Sequence, residues 1–136
     1  MTDTDCLFCR IVAGAVPSHQ VWSDDQAVAF LDINPLHLGH TLVIPRRHVA
    51  DGTGEAAAWA DVAEGLAAVA SAAKARLGAT GVNFLANSGK VAGQEVFHFH
   101  VHVIPRYDAT PGMGGLLRRD STAASDLAGT ASRLRA

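Results

Sequence analysis

The feature that most constrains this chain is an alternation of histidines with apolar residues in segment 96–104. His98, His100 and His102 occupy every second position, which predicts a β-strand because successive strand side chains point to opposite faces. One face would present the three histidines to solvent, and the other would pack on a core through Phe97, Phe99, Val101 and Val103. Histidine is not a favoured strand residue, so we interpret its face as a site of chemistry rather than an accidental surface.

The spacing of these histidines limits what they can do. At about 3.3 Å per residue, His98 and His102 lie roughly 13 Å apart, too far to share one tetrahedral zinc. A neighbouring pair can still chelate an ion, so a metal-dependent hydrolase with His100 and His102 as ligands is one hypothesis. Neutral imidazole, with a pKa near ~6.5, is also a nucleophile that could attack an α-phosphate. His100 is best placed, since it has a histidine on each side.

The loop that precedes the histidines is rich in glycine and hydrogen-bond donors. It joins the apolar run 82–86 to the histidine segment, which predicts a long hairpin. Its polar side chains could bind an anion, although a plain solvated loop would have the same composition; they are Asn87, Ser88, Lys90 and Gln94. Position directly before the histidines favours a phosphate cradle. No Walker or dinucleotide glycine motif occurs.

Composition and charge predict a folded protein and give no sign of binding to nucleic acid or to an anionic membrane. The 136 residues are 49% hydrophobic and 18% charged, which predicts a single domain over 1–136, with a core of about 5–107 and a tail of 108–136. A net charge of −2 gives no electrostatic footprint for nucleic acid or an anionic membrane. The acidic start and the lack of a long apolar run predict a cytoplasmic protein.

Pattern along the chain predicts an α+β fold with an antiparallel sheet of about five strands. A short N-terminal helix should span Asp5 to Ala13, and one long helix should span about Gly54 to Leu77 with Thr53 as its cap. The long helix carries an apolar stripe expected to pack on the apolar face of the histidine strand. Strands are expected at 21–22, 27–31, 39–45, 82–86 and 96–104, with a further helix at 121–135.

Two cysteines form one Cys6-x-x-Cys9 motif. In a cytoplasmic chain this motif is more often a metal or redox pair than a structural disulfide, and the strand–helix context of a redox motif is absent. A structural zinc needs four ligands, so histidines would have to complete the site. The sequence by itself does not choose them, and two reduced cysteines packed at the first helix are the alternative.

Three blocks in the same order carry a resemblance to a known family. Residues 93–106, with 30–35 and 39–48, resemble the histidine triad (HIT) family in its nucleotide-binding, Hint-like branch. The resemblance implies a HIT-like fold, a homodimer and a purine nucleotide substrate. It also implies a structural zinc and no catalytic metal, the zinc ligands being Cys6, Cys9, His48 and His98.

The resemblance further assigns roles within the site. His100 would be the nucleophile and His102 a phosphate contact, with His98 and His40 as the other catalytic histidines. Asp32 would bind the ribose hydroxyls. The remaining nucleotide contacts would be Phe8, Ile11, Phe30, Ile33, Asn87, Gln94 and Val96.

The expected activity is hydrolysis of a phosphoramidate or dinucleoside polyphosphate through a nucleotidyl-histidine. His102 favours hydrolysis, because the nucleotidyltransferase branch has glutamine there. Glu95 replaces a serine of animal Hint proteins, which opens the question of the leaving group. A nucleotide-binding or partner-interaction module with minor turnover is the alternative.

Overall fold

The computed structural model describes residues 5–136 and confirms the predicted fold class. Five strands form one antiparallel sheet in the order β1-β2-β3-β5-β4. They are β1 (Gln20–Ser23), β2 (Ala27–Leu31), β3 (Thr41–Pro45), β4 (Gly81–Leu85) and β5 (Val101–Arg106). The helices are α1 (Leu7–Val12), α2 (Ala56–Leu77), α3 (Gly112–Leu116) and α4 (Leu127–Arg135), and a single 3₁₀ turn spans Lys90–Ala92. Among residues 5–136, no helix has both the length and the apolar character to cross a bilayer.

The two faces of the sheet are covered differently, and this decides where a site can form. Helix α2 lies over one face, where Val62, Val69 and Ala73 pack with Val101 and Val103 as predicted. Gly65 permits this close approach, because a Cβ there would lie 2.7 Å from the Trp22 ring. Within residues 5–136, the short α1 covers part of the opposite face, and the rest of that face is open for a cavity.

The long helix ends as predicted but begins differently. Gly78 adopts a left-handed conformation with φ of 76° and closes the helix, as its position after Leu77 indicates. At the other end the cap position is Glu55, which makes no side-chain capping bond. The prediction of Thr53 as the cap was wrong, because its N–H and hydroxyl both donate to the carboxylate of Asp51.

The histidine strand is shorter than predicted. β5 begins at Val101, and the segment 96–100 is irregular, so the predicted strand over 96–104 was wrong in its first half. The neighbouring strand explains why: Pro45 has no N–H to extend the ladder, and its carbonyl accepts a hydrogen bond from the His98 ring at 2.8 Å. Phe97 is consequently 49% exposed, while Phe99 is buried against Trp59.

The C-terminal helix is also shorter than the predicted 121–135. α4 begins after Asp126, whose carboxylate accepts the N–H of Gly129 at 2.9 Å, and residues 121–126 form turns. The two expected anchors, Leu127 and Leu134, do pack with the core beneath α2.

Candidate functional site

A cavity of about 500 Å³ opens on the face of the sheet that carries α1. Nine of the predicted nucleotide-binding and catalytic residues line it together with His40. They come from α1, from β2 and the loop after it, from the segment between β4 and β5, and from β5: Phe8, Ile11, Phe30, Asp32, Ile33, Asn87, Val96, His100 and His102. A second cavity, of about 480 Å³, lies between β1 and α4 and contains none of the triad histidines. The first cavity is therefore the candidate active site.

His100 is held with one ring nitrogen free. Its Nδ1 lies 2.8 Å from the carbonyl oxygen of His98, and because a carbonyl only accepts, Nδ1 must be the protonated nitrogen. In the neutral ring Nε2 then keeps its lone pair. The ring edge packs against Phe8 at a centroid distance of 5.2 Å, and burial lowers the pKa of His100. His100 is thus an oriented ring, neutral at neutral pH, whose unprotonated Nε2 has the chemistry that a nucleophile requires.

His40 and His102 form a chain of fixed tautomers. The backbone N–H of Leu36 donates to His40 Nδ1 at 3.0 Å, so the neutral His40 ring carries its proton on Nε2. That Nε2–H donates to His102 Nδ1 at 2.9 Å, which leaves the His102 proton on its own Nε2. His102 therefore presents a hydrogen-bond donor beside the lone pair of His100, with ring centroids 5.1 Å apart.

Burial keeps this chain neutral. It is the largest cause that lowers the pKa of His40 to about 4 and the pKa of His102 to about 4. Asp32, whose Oδ2 lies 3.6 Å from His40 Nε2, opposes the shift in both rings without cancelling it. At physiological pH the two histidines act as dipoles rather than as cations.

The metal-dependent hypothesis took His100 and His102 as ligands, whereas the donor atoms that lie together here belong to His102, His40 and Asp32. Donor atoms of Asp32, His40 and His102 lie within 4.8 Å of one another, a separation that a metal could bridge. However, the lone pair of His40 Nδ1 already accepts from Leu36, so Nε2 carries the proton and offers no lone pair to a metal. The hydrogen bonds therefore favour acid–base chemistry at this cluster.

A separate cluster of Cys6, Cys9, His48 and His98 lies beside α1. The distances from Sγ to Nδ1 are 3.5 Å for Cys6–His98, 3.5 Å for Cys9–His98 and 3.4 Å for Cys9–His48. A tetrahedral zinc with Zn–S of ~2.3 Å and Zn–N of ~2.1 Å requires S···N edges of roughly 3.6 Å. The four residues thus have the donor set and spacing of a structural zinc site.

The tautomer of His98 also suits a metal. Its Nε2 lies 2.8 Å from the carbonyl oxygen of Pro45 and must carry the proton, so Nδ1 is unprotonated and directed at the two sulfurs. Among the described residues the cysteines form no disulfide. The arrangement is compatible with zinc.

Two predicted site residues lie elsewhere than expected. His98 does not share a solvent-facing side with His100 and His102, because the chain is not extended there; its ring is fully buried in the cysteine cluster. Only its carbonyl serves the cavity, through His100. Gln94 is buried, its amide bonds to the backbone of Gly89, Ala50 and Val96, and it is not among the residues that line the cavity.

The structure also adds residues that the sequence did not indicate. Arg119, from the C-terminal tail, lines the cavity beside Asn34, and Leu36 supplies the N–H that orients His40. A backbone group leaves no mark in a sequence, and an arginine in a polar tail resembles any solvated one. Only the tertiary fold brings them to the histidines.

The fold, the cavity and the cysteine cluster define an α+β protein with a histidine-lined cavity beside a Cys/His cluster. Comparison with known proteins identifies its family. The sequence profile described as "HIT domain" matches residues 13–109. The protein named Protein hit from Bacillus subtilis is 41% identical over 115 residues, covering 82% of this chain and 78% of that protein. This chain belongs to the HIT family.

Two further relatives are informative about the clusters. The crystal structure of a Zn-bound histidine triad family protein from Mycobacterium smegmatis is 38% identical, with a TM-score of 0.81 over 96% of this chain and 90% of that one. Adenylylsulfatase HINT3 from Arabidopsis thaliana is 41% identical over 105 residues, which cover 75% of this chain and 52% of that protein.

Proposed function

We propose that the protein is a purine nucleotide hydrolase that cleaves at the α-phosphate through a nucleotidyl intermediate on His100. The single observation that carries the proposal is the hydrogen bond from His100 Nδ1 to the His98 carbonyl, which leaves Nε2 as a free nucleophile in the cavity. Membership of the HIT family and the similarity to an adenylylsulfatase support hydrolysis of a bond at an α-phosphate.

The two steps follow from the tautomers. His100 Nε2 attacks the α-phosphorus, a P–N bond forms, and the bond from phosphorus to the leaving group breaks with its electron pair. The Nε2–H of His102 donates to a phosphate oxygen and stabilises the charge that develops there. Water then attacks the phosphorus, the P–N bond to His100 breaks, and the nucleoside monophosphate is released with a proton lost to solvent.

The nucleoside half of the substrate would occupy the apolar side of the cavity. Phe8 and Phe30 meet edge to face at 5.4 Å and form one wall beside Ile11 and Ile33, which suits a purine ring. Asp32 is partly buried, and its Oδ1 accepts the N–H of Asn34 at 2.8 Å. Oδ2 is left to accept from ribose hydroxyls.

We propose phosphoramidates and dinucleoside polyphosphates as the substrate classes, with zinc bound at Cys6, Cys9, His48 and His98 in a structural role. The Zn-bound relative and the tetrahedral spacing of the cluster support the zinc. Zinc there would hold the first helix against the His98 segment and supply no reacting group. We place the protein in the cytoplasm, where the thiols would remain reduced.

We also propose a homodimer that pairs the β4 edges of two subunits. β4 is an edge strand of the sheet, and Phe84 and Leu85 on it are 54% and 37% exposed. Exposed strand edges with apolar side chains favour pairing with another chain. The resemblance to Hint-like proteins implies the same assembly.

The test is to trap the intermediate. Wild type, His100→Ala and, as the matched control, His19→Ala are mixed with an adenosine phosphoramidate, quenched in alkali and examined by intact mass. We expect one nucleotidyl group on wild type and His19→Ala and none on His100→Ala, which should still bind AMP. Normal turnover by His100→Ala would refute the nucleophile. AMP binding by wild type with neither adduct nor turnover would instead support a binding module.

A further inference from the structure

The loop 34–38 orients His40, and the C-terminal part of the chain covers that loop with donors. The backbone N–H of Leu36 donates to His40 Nδ1, and the backbone N–H of His40 donates to the carbonyl of His37 at 3.1 Å. Any rotation of this loop would therefore remove the group that fixes the His40 tautomer. What holds the loop in place decides whether His102 presents its proton to the cavity.

Arg119 and its neighbour supply three of the restraints. Arg119 Nη1 donates to the carbonyl of Asn34 at 2.6 Å and to that of Pro35 at 2.8 Å. The backbone N–H of Asp120 donates to the carbonyl of Leu36 at 2.8 Å. A single guanidinium nitrogen, Nη1, thus bridges two successive carbonyls through its two N–H groups.

Further bonds join the loop to the same part of the chain in both directions. The Tyr107 hydroxyl donates to the carbonyl of Leu38 at 2.9 Å. The fully buried His37 ring lies with Nε2 3.1 Å from the carbonyl of Gly115 and 3.0 Å from that of Leu116, so this nitrogen is the donor. All five carbonyls of residues 34–38 accept a hydrogen bond, four of them from residues 107–120.

Most of these hydrogen-bonding partners of the loop, donors and acceptors alike, lie outside the matched HIT domain. The HIT domain match ends at residue 109, whereas Gly115, Leu116, Arg119 and Asp120 follow it. A tail that served only to shield apolar surface would not need to satisfy consecutive carbonyls of one short loop. Arg119 in addition lines the cavity, so the tail reaches the place where substrate would bind.

We propose that residues 107–120, the C-terminal brace, position His40 for catalysis by holding the loop 34–38, with Arg119 as the principal positioning residue. The proposal rests on the proposed function, because His40 matters only through the proton that it fixes on His102. The brace acts on the tautomers of His40 and His102. It does not act on His100, whose tautomer is set by the His98 carbonyl.

The test reads the tautomers directly. Full-length protein labelled with ¹⁵N-histidine is prepared as wild type, Arg119→Ala and Tyr107→Phe, with Arg118→Ala as the control, since Arg118 is an exposed neighbour of equal charge outside the cavity. Long-range ¹H–¹⁵N spectra assign protonation at each ring nitrogen. We expect His40 and His102 to lose their single Nε2–H tautomer in the first two variants and to keep it in Arg118→Ala.

Kinetics and an internal reference complete the test. His100 should remain Nδ1-protonated in every variant, which shows that the cavity is folded. We expect kcat to fall about 10-fold to 100-fold in Tyr107→Phe with KM changed less, as misplacement of a catalytic group predicts. Unaltered tautomers of His40 and His102 in both variants would overturn the proposal. Altered tautomers in the variants, together with a wild type that shows no turnover, would uphold the brace and refute the proposed function.

Discussion

The buried, neutral ring of His102 predicts a specific loss of stability in acid. Burial lowers the pKa of His102 to about 4 from a value of 6.5 in the unfolded chain. Between these values the unfolded state binds more protons than the folded state, so stability falls as the pH falls. The stabilisation is fully present above pH 6.5 and is lost progressively towards pH 4.

The magnitude follows from the two pKa values. For one such group, lowering the pH from about 7.5 to about 4.5 costs about 2 to 3 kcal/mol of unfolding free energy. His102→Gln removes this titration, and the glutamine amide oxygen can still accept the Nε2–H of His40. We therefore expect wild type to lose about 2 to 3 kcal/mol more than His102→Gln over this range.

The assay is urea unfolding of both proteins at constant zinc and at several pH values between about 4.5 and 8.5. Because His98 and His40 are present in both proteins, their own contributions largely cancel in the difference. The difference should be constant above pH 7, where neither state of the residue is charged, and should grow below pH 6.5. A difference that stays within about 0.5 kcal/mol at every pH would refute the buried, neutral His102.

Two further outcomes test the cysteine cluster and the leaving group. Cys9→Ser, or removal of zinc with a chelator, should lower Tm by about 10 °C, because about 3 kcal/mol of stabilisation by bound metal is lost. Thermal unfolding and the zinc content are measured on the same samples. An unchanged Tm after complete loss of zinc would contradict a structural role. Glu95→Gln should raise kcat/KM for substrates with an anionic leaving group about 5-fold relative to substrates with an amine leaving group, because Glu95 lines the cavity and its negative charge repels anions. Glu64→Gln, at an exposed position outside the cavity, is the matched control. An unchanged ratio of the two kcat/KM values would contradict a role of Glu95 in leaving-group preference.

The sequence allowed the sheet, the long helix and most of the cavity residues to be predicted, because these follow from periodicity and from contiguous motifs. Ala27–Leu31 was predicted to the residue, since turn residues bound its apolar run. The end of α2 was fixed by Gly78, where only a residue without Cβ adopts φ of 76° easily.

The different positions of the three histidines could not be predicted from such patterns. Strict alternation predicted one shared face for His98, His100 and His102, whereas the absence of a ladder donor at Pro45, on another strand, ends the regular structure before Val101. Local sequence preference does not show that a hydrogen-bond donor is missing on a neighbouring strand that is distant in sequence. Arg119 was missed for a related reason, because its role depends on carbonyls of the loop 34–38.

The irregular backbone at 96–100 allows His98 to contact both the cysteine cluster and His100. In a regular strand His98 and His100 would point to the same side, and both rings would compete for the cavity. Here the His98 ring has its Nε2 held by Pro45 and its Nδ1 directed at the cysteine sulfurs, while its carbonyl holds His100 Nδ1. With both ring nitrogens engaged, the His98 carbonyl has little freedom to move. The cysteine cluster and His100 are therefore linked through the hydrogen bonds of a single residue, His98.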